Sequence, residues 1–288
     1  MYRIVIKKTL NPTVMMMEVE APLVAKAARA GQFVILRVDE EGERIPLTVA
    51  GWDRERGTVK IIFQIVGATT LALSRLNEGD FIRDFAGPLG KATELEGLSD
   101  VLVVGGGVGC AIALPIAEQL HVLGARVSTV IGFRTRDLVI LEDEFSAVSD
   151  EMCVMTDDGS YGERGNVCLP MRRMFEGGRK FDKIIVIGPL VMMKYAVAEA
   201  RPTGIPCVVS MNPIMIDGTG MCGGCRLVLN RDGKRLVRFA CVDGPDFDGY
   251  EVDFDSAMAR GAMYRDFERH AYEESCNLLK SEKNNAKL

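Results

Sequence analysis

A change of hydrophobic period near Gly97-Leu98-Ser99-Asp100 constrains this chain more than any other feature. Before it, apolar residues come in short runs: YRIVIKK, TVMMMEVEA, GQFVILRVD, RIPLTVAGW and GTVKIIFQIV, with breaks at Asn11-Pro12, Gly31 and Glu41-Gly42. Runs rich in Val, Ile and Phe between such breakers read as strands. Several of them in so short a stretch predict an antiparallel barrel or sandwich, interrupted by one helix near Thr70–Leu76. After the break, VLVVGGG, RVSTVIGF, EMCVMTDD and FDKIIVIGP alternate with helical stretches such as 111–123. That alternation predicts a doubly wound parallel sheet.

From about Ile205 the texture changes again. MNPIMIDGTGMCGGCRL is dense in Gly and Cys and has no clear period, so a ligand is expected to organise it. Residues 254–288 read as a polar helix ending in a charged tail. The expectation is an α+β multidomain chain: an antiparallel β-barrel domain over 1–98, a doubly wound parallel α/β domain over 99–205, a small Cys-rich segment over 206–250, and a C-terminal helix and tail over 251–288.

Composition narrows the functional classes. With 288 residues, 48% hydrophobic and 26% charged, the chain can bury a sizeable core without disulfide staples and is not disordered in bulk. A net charge of -5 and the lack of a basic tract speak against a nucleic-acid partner. The longest uncharged run, 101–117, carries four glycines and a proline and is a poor membrane span. MYRIVIKKTL does not read as a secretory leader, so a cytoplasmic protein with no membrane partner is expected. His121 and His270 are the only histidines, which excludes an all-histidine metal site.

Asp217-x4-Cys222-x2-Cys225-x15-Cys241 is the strongest local signal. Plant-type [2Fe–2S] sites use C-x4-C-x2-C and a distant cysteine, and here an aspartate holds the first position. Gly218, Gly220, Gly223 and Gly224 allow a loop tight enough to offer thiolates from several sides, and a carboxylate is an anionic, harder donor to iron. A zinc site built from the same four residues, cysteines that only pack, and a water in place of Asp217 stay open as alternatives. Cys110, Cys153, Cys168, Cys207 and Cys276 have no such company and read as small hydrophobes.

The second signal is Gly105-Gly106-Gly107-Val108-Gly109, between an apolar strand and a helix. Glycines there let a pyrophosphate approach the backbone and the helix N-terminus. The spacing departs from G-x-G-x-x-G because Cys110 holds the last place, so a tight structural turn remains the alternative. The next strand ends in Gly132-Phe133-Arg134-Thr135-Arg136, where an NAD site commonly carries an acid. Arginines suit a 2′-phosphate by charge, or are simply solvated.

Together the strand-rich first part, GGGVGCAIALP, TDDGSYG at 156–162, GPLVMMK at 188–194, DGTGMCGGC at 217–225 and FACVDGP at 239–245 resemble the ferredoxin–NADP reductase superfamily. More narrowly they resemble small subunits of NADH-dependent reduced ferredoxin:NADP oxidoreductases, also described as sulfide dehydrogenase beta subunits. The electron-transfer subunits of dihydroorotate dehydrogenase form a related branch. The resemblance covers the chain to about residue 265.

It implies FAD on the barrel. The family's R-x-Y-[ST] segment corresponds to Arg44-Ile45-Pro46-Leu47-Thr48, one residue longer and without the tyrosine, and a second flavin segment to Phe63-Gln64-Ile65-Val66-Gly67-Ala68-Thr69-Thr70. On the nucleotide domain it implies NAD(H), with NADP(H) as the lesser alternative, at Gly105, Gly106, Gly107, Val108 and Gly109, with Arg134, Asp157, Gly188 and Pro189 nearby. Many relatives have a cysteine before that Gly-Pro, where this chain has Ile187, so no catalytic side chain is assigned. The cluster ligands implied are Asp217, Cys222, Cys225 and Cys241.

The expected function is therefore that of an electron-transfer flavoprotein subunit linking NAD(H), FAD and a [2Fe–2S] cluster. Its expected partner is a larger subunit with another FAD and [4Fe–4S] clusters, the heterodimer exchanging electrons with ferredoxin by flavin-based bifurcation. A partner oxidising dihydroorotate or acting on sulfide or polysulfide is the alternative, and a colourless zinc adaptor the lower one.

Overall fold

The computed structural model describes residues 1–274. The first part consists of β1 (Tyr2–Asn11), β2 (Val14–Glu20), α1 (Pro22–Ala27), β3 (Phe33–Arg37), β4 (Ile45–Asp53), β5 (Thr58–Gln64), α2 (Ala68–Arg75), β6 (Phe81–Ile82) and β7 (Asp84–Leu89). Its strands pair antiparallel in the order β6-β1-β2-β5-β4-β3-β7. The two edge strands, β6 and β7, are separated in sequence by Arg83 alone, so the sheet curls until its edges nearly meet. This is an almost closed barrel, the form that leaves little unpaired edge. Ile4, Met17, Val34, Val49, Ile61, Phe63 and Phe85 fill it.

The second part runs β8 (Asp100–Gly106), α3 (Cys110–Val122), β9 (Arg126–Phe133), α4 (Glu142–Val148), β10 (Glu151–Thr156), β11 (Glu163–Arg164), α5 (Cys168–Glu176), β12 (Lys183–Ile187), α6 (Leu190–Ala200) and β13 (Cys207–Ser210). The sheet order is β11-β10-β9-β8-β12-β13, all parallel. Val101 to Val104 are fully buried, as expected for a strand covered on both faces. Leu102 and Val104 join the core under α5 and α6, whereas Val101 and Val103 join the one under α3 and α4.

Beyond it come β14 (Arg226–Arg231), β15 (Lys234–Phe239), α7 (Ala240–Asp243), β16 (Asp246–Asp248) and α8 (Phe254–Ala262). β14 and β15 form a separate hairpin. β16 pairs antiparallel with β13 and becomes the seventh strand of the parallel sheet. Of the cysteine segment expected over 206–250, the part 211–245 is thus an excursion between two strands of that sheet, and β16 returns to give the edge strand β13 a partner for its backbone groups. Helical turns continue over 265–274. The rest of the expected tail, with Cys276, lies outside the described residues. Among the described residues no helix is long and apolar enough to cross a membrane.

Several bonds tie barrel to sheet. Asn11 Nδ2 donates to the Leu138 carbonyl at 3.1 Å, Lys91 N to Gly244 O at 2.7 Å, and Lys183 Nζ to Glu94 O at 2.9 Å.

Candidate functional site

A cavity of about 930 Å³ lies between the barrel and the parallel sheet, near the upper end of ligand-pocket sizes. Its sheet side is made by the carboxyl ends of β8, β9, β10 and β12. Because β9 lies on one side of β8 and β12 on the other, this is the switch point where open α/β sheets bind ligands.

Gly106, Gly107, Val108 and Gly109 line it, facing Gly188 and Pro189. The two turns lie flush. A Cβ on Gly109 would stand 2.6 Å from Ile187 O, and one on Gly106 would stand 2.1 Å from Met192 Sδ. Gly105 does not line the cavity; a Cβ there would meet Cys110 Sγ at 2.9 Å, so this glycine lets α3 settle on β8. Gly107–Gly109 form a single 3-10 turn that runs into α3, with Cys110 N donating to Gly107 O, so the positive end of the helix dipole lies at this turn. Arg134 and Asp157 are the two charged lining residues, and no histidine lines the cavity. That inventory suits binding of a cofactor that brings its own reactivity more than side-chain acid–base chemistry.

On the barrel side Pro46, Leu47 and Thr48 of β4 line the cavity with Phe63, Gln64, Val66 and Thr70. Thr70 Oγ1 accepts from the amides of Val66 and Gly67, each at 3.0 Å, and this shapes the entry to α2. Arg44 is exposed and Ile65, Gly67 and Thr69 are off the lining. Thr69 Oγ1 bonds Glu43 at 3.3 Å, which keeps the 43–44 loop beside α2. Arg136 turns away from the cavity lining and stacks on Tyr161, 5.4 Å from its ring centre.

Sequence reading missed Asn11, Asn166, Cys168, Tyr195, Asn212 and Pro245, all on the lining. The fold brings them there; only Asn166, just ahead of α5, carried a local signal, as its Oδ1 accepts from Cys168 N at 3.0 Å. Cys168 therefore borders the cavity as well as packing against the core under α5 and α6. Among the other thiols, burial pushes Cys207 up to about 12 and Cys153 up to about 11, so both are inert at neutral pH.

The cysteine loop leaves the cavity wall directly. Met211 and Met215 line the cavity, and Asp217 follows two residues later. A Cβ on Gly218, at φ +77°, would collide with Leu89 and Ile35, so glycine lets the loop lie on the barrel. Cys225 and Cys241 are buried with their sulfurs 3.2 Å apart, while Cys222 is exposed and its sulfur accepts from Gly224 N at 3.4 Å. Asp217 Oδ1 accepts from Thr219 N and Oδ2 from Cys222 N, both at 2.6 Å. Those amide bonds, Thr219 first, hold its carboxyl below the usual range. Among the described residues no three His, Cys, Asp or Glu side chains are gathered as a metal site. The donor chemistry still fits a thiolate-bound group. Burial, then the Cys225 thiol, pushes Cys241 up, and a bound cation is what makes such a thiol pair lose its protons.

Residues 212–253 match the family model for the iron–sulfur cluster binding domain of dihydroorotate dehydrogenase B. The chain is 49% identical over 255 residues to a Thermotoga maritima homologue of the dihydroorotate dehydrogenase B (NAD(+)) electron transfer subunit, covering 88% of each. It is 33% identical to the Streptococcus pneumoniae electron transfer subunit, over 85% of this chain and 94% of that one. It belongs to the ferredoxin–NADP reductase superfamily, in the branch of these electron-transfer subunits. Within this branch, a chain from the solved NADH-dependent reduced ferredoxin-NADP oxidoreductase, studied for flavin-based electron bifurcation, matches with TM-score 0.88. The identity is 46%, with 95% of this chain and 97% of that one covered. The family is one of flavin-dependent oxidoreductase subunits, and the barrel, sheet and cysteine loop are its parts.

Proposed function

We propose that this chain moves electrons between NAD(H), FAD and a [2Fe–2S] cluster as the small subunit of an electron-bifurcating NADH-dependent ferredoxin:NADP oxidoreductase. One observation carries the reading: Phe33, Met211 and Met215 line the cavity and share a single buried core with Cys225 and Cys241. The cofactor cavity and the thiol pair are two sides of one wall. When bound, FAD would supply the change from paired electrons, taken from a dinucleotide, to single electrons for the cluster. Pro46 to Thr48 with Phe63, Gln64, Val66 and Thr70 would hold the flavin against the barrel. Gly106 to Gly109 and the α3 N-terminus hold the dinucleotide pyrophosphate, while Asp157 and Gly188-Pro189 flank its ribose and nicotinamide. Cys222, Cys225, Cys241 and Asp217 hold the cluster.

The bifurcating assignment is supported by the near full-length similarity to the ferredoxin-NADP oxidoreductase chain. It implies a larger partner with its own FAD and [4Fe–4S] clusters, and ferredoxin as a client of the complex. A dihydroorotate-oxidising partner is the second reading, favoured by the relatives' descriptions. Co-purification of the large subunit from the native host separates the two.

The purified anaerobic chain is expected to contain FAD with iron and acid-labile sulfide in equal amounts. Zinc without flavin or sulfide overturns the assignment. NADH is expected to reduce the flavin faster than NADPH; the reverse order means that Arg134 serves a 2′-phosphate.

Asp217 already meets two amides, so ligation draws on its remaining lone pairs. Asp217→Cys is expected to keep the cluster and move its EPR signal and reduction potential. Unchanged spectra remove Asp217 from the ligand set.

A further inference from the structure

Asp246 is a buried carboxyl beside the cavity. It opens β16 opposite Ser210 of β13, and cross-strand partners present their side chains on the same face. Thr93, in the segment joining barrel to sheet, donates its hydroxyl to Asp246 Oδ2 at 2.6 Å. Thr93 fits only because residue 31 is glycine at φ +85°; a Cβ there would come within 2.2 Å of its hydroxyl oxygen. The other carboxyl oxygen, Oδ1, is enclosed and has no hydrogen-bond partner. An enclosed polar atom of this kind costs about 1–3 kcal/mol unless something satisfies it. Burial pushes the carboxyl up, against the pull of Thr93, Ser210 and the Lys183 ammonium, the charged group acting on it.

Ser210 is buried, and it lines the cavity together with Pro245, the neighbour of Asp246. A serine hydroxyl rotates to suit its surroundings. Ser210 does not bond Oδ1 in the structure, but it is the side chain across the strand pair that acts on this carboxyl. If Asp246 is ionised, a turn of the Ser210 side chain brings its O–H to Oδ1 and leaves an oxygen lone pair for the cavity. If Asp246 is neutral, its own O–H donates to Ser210 Oγ and frees the serine proton for the cavity. Both states satisfy the enclosed oxygen, and they give the wall opposite polarity.

We propose that Asp246 is a positioning residue which, through Ser210, sets whether the cavity wall offers bound flavin a hydrogen-bond acceptor or a donor. The inference rests on the reading that this cavity holds FAD. Its test is the absorption spectrum of the oxidised, FAD-loaded full chain between about pH 4 and about pH 9, a span in which free carboxyls ionise only at the acid end. The native flavin band is expected to shift in a single titration. Ser210→Ala, which removes one hydroxyl, abolishes the shift. Asp246→Asn leaves the band fixed at the native low-pH position, because its amide donates to Ser210 as the neutral acid does while its oxygen still accepts from Thr93. A native band that does not move, or either variant titrating like the native chain, overturns the inference. A native chain that binds no flavin overturns the FAD reading itself, an outcome distinct from flavin-loaded protein with an immobile band.

Discussion

Cys225→Ser and Cys241→Ser are each expected to strip iron and labile sulfide from the purified chain while its FAD stays bound and reducible by NADH. Both cysteines are about fully buried, at 1% and 2% exposure, and their sulfurs are in contact. A serine hydroxyl is a hard, reluctantly ionised donor and a poor replacement for a thiolate on iron. Neither cysteine lines the cavity, so flavin binding is spared. The stability cost of enclosing an unpaired hydroxyl is about 1–3 kcal/mol. Electron delivery from NADH to a one-electron acceptor is expected to fall by at least about 100-fold, the upper end of what loss of a mere supporting contact does at a metal site. Rates measured beside iron, sulfide and flavin content check this. Iron retained in both variants would sink the ligand assignment.

What sequence made legible was what local pattern encodes. VLVVGGGVG announced a buried parallel strand running into a glycine turn, because such a strand must be apolar throughout and its turn must let backbones touch. The cysteine spacing announced a ligand loop for the same local reason. How nearly the barrel closes was not legible, since that depends on β6, a strand of two residues, coming close to β7 at the far end of the sheet. Nor was β16, three residues long, which joins the parallel sheet only after the cysteine excursion brings it back to β13. Asp217 shows another limit: a carboxylate after a Gly-rich bend serves equally as a donor to iron and as an acceptor for the Thr219 and Cys222 amides. Thr93 and Asp246 are 153 positions apart, and no periodicity links residues across such a span. The site emerged where its chemistry is written in one short segment and stayed hidden where tertiary packing assembles it.

The same distinction separates two neighbouring glycines. Gly109→Ala is expected to lower stability by about 1–3 kcal/mol, the usual cost of forcing atoms into a packed site, and to weaken dinucleotide binding at least about tenfold, which is 1.4 kcal/mol. The new Cβ would lie 2.6 Å from Ile187 O, 2.7 Å from Gly188 Cα and 2.9 Å from Gly188 N. All three are backbone atoms of the turn that forms the opposite lip of the cavity, so no rotamer change relieves the contact. Either the β8–α3 turn or the 187–189 turn must shift, and both carry the residues assigned to the dinucleotide. Gly107→Ala provides the control. Gly107 lines the cavity too, but it has φ +54° and no protein atom within 4 Å of its Cβ position, so within the protein the variant suffers only the left-handed backbone cost of about 1–2 kcal/mol. Its stability loss overlaps that of Gly109→Ala, yet its two turns stay together. Thermal unfolding and NADH titration of both variants separate fold from site. If affinity falls equally in the two, the cost is generic to the loop; if it falls mainly in Gly109→Ala, contact between the two lips is what shapes the dinucleotide site.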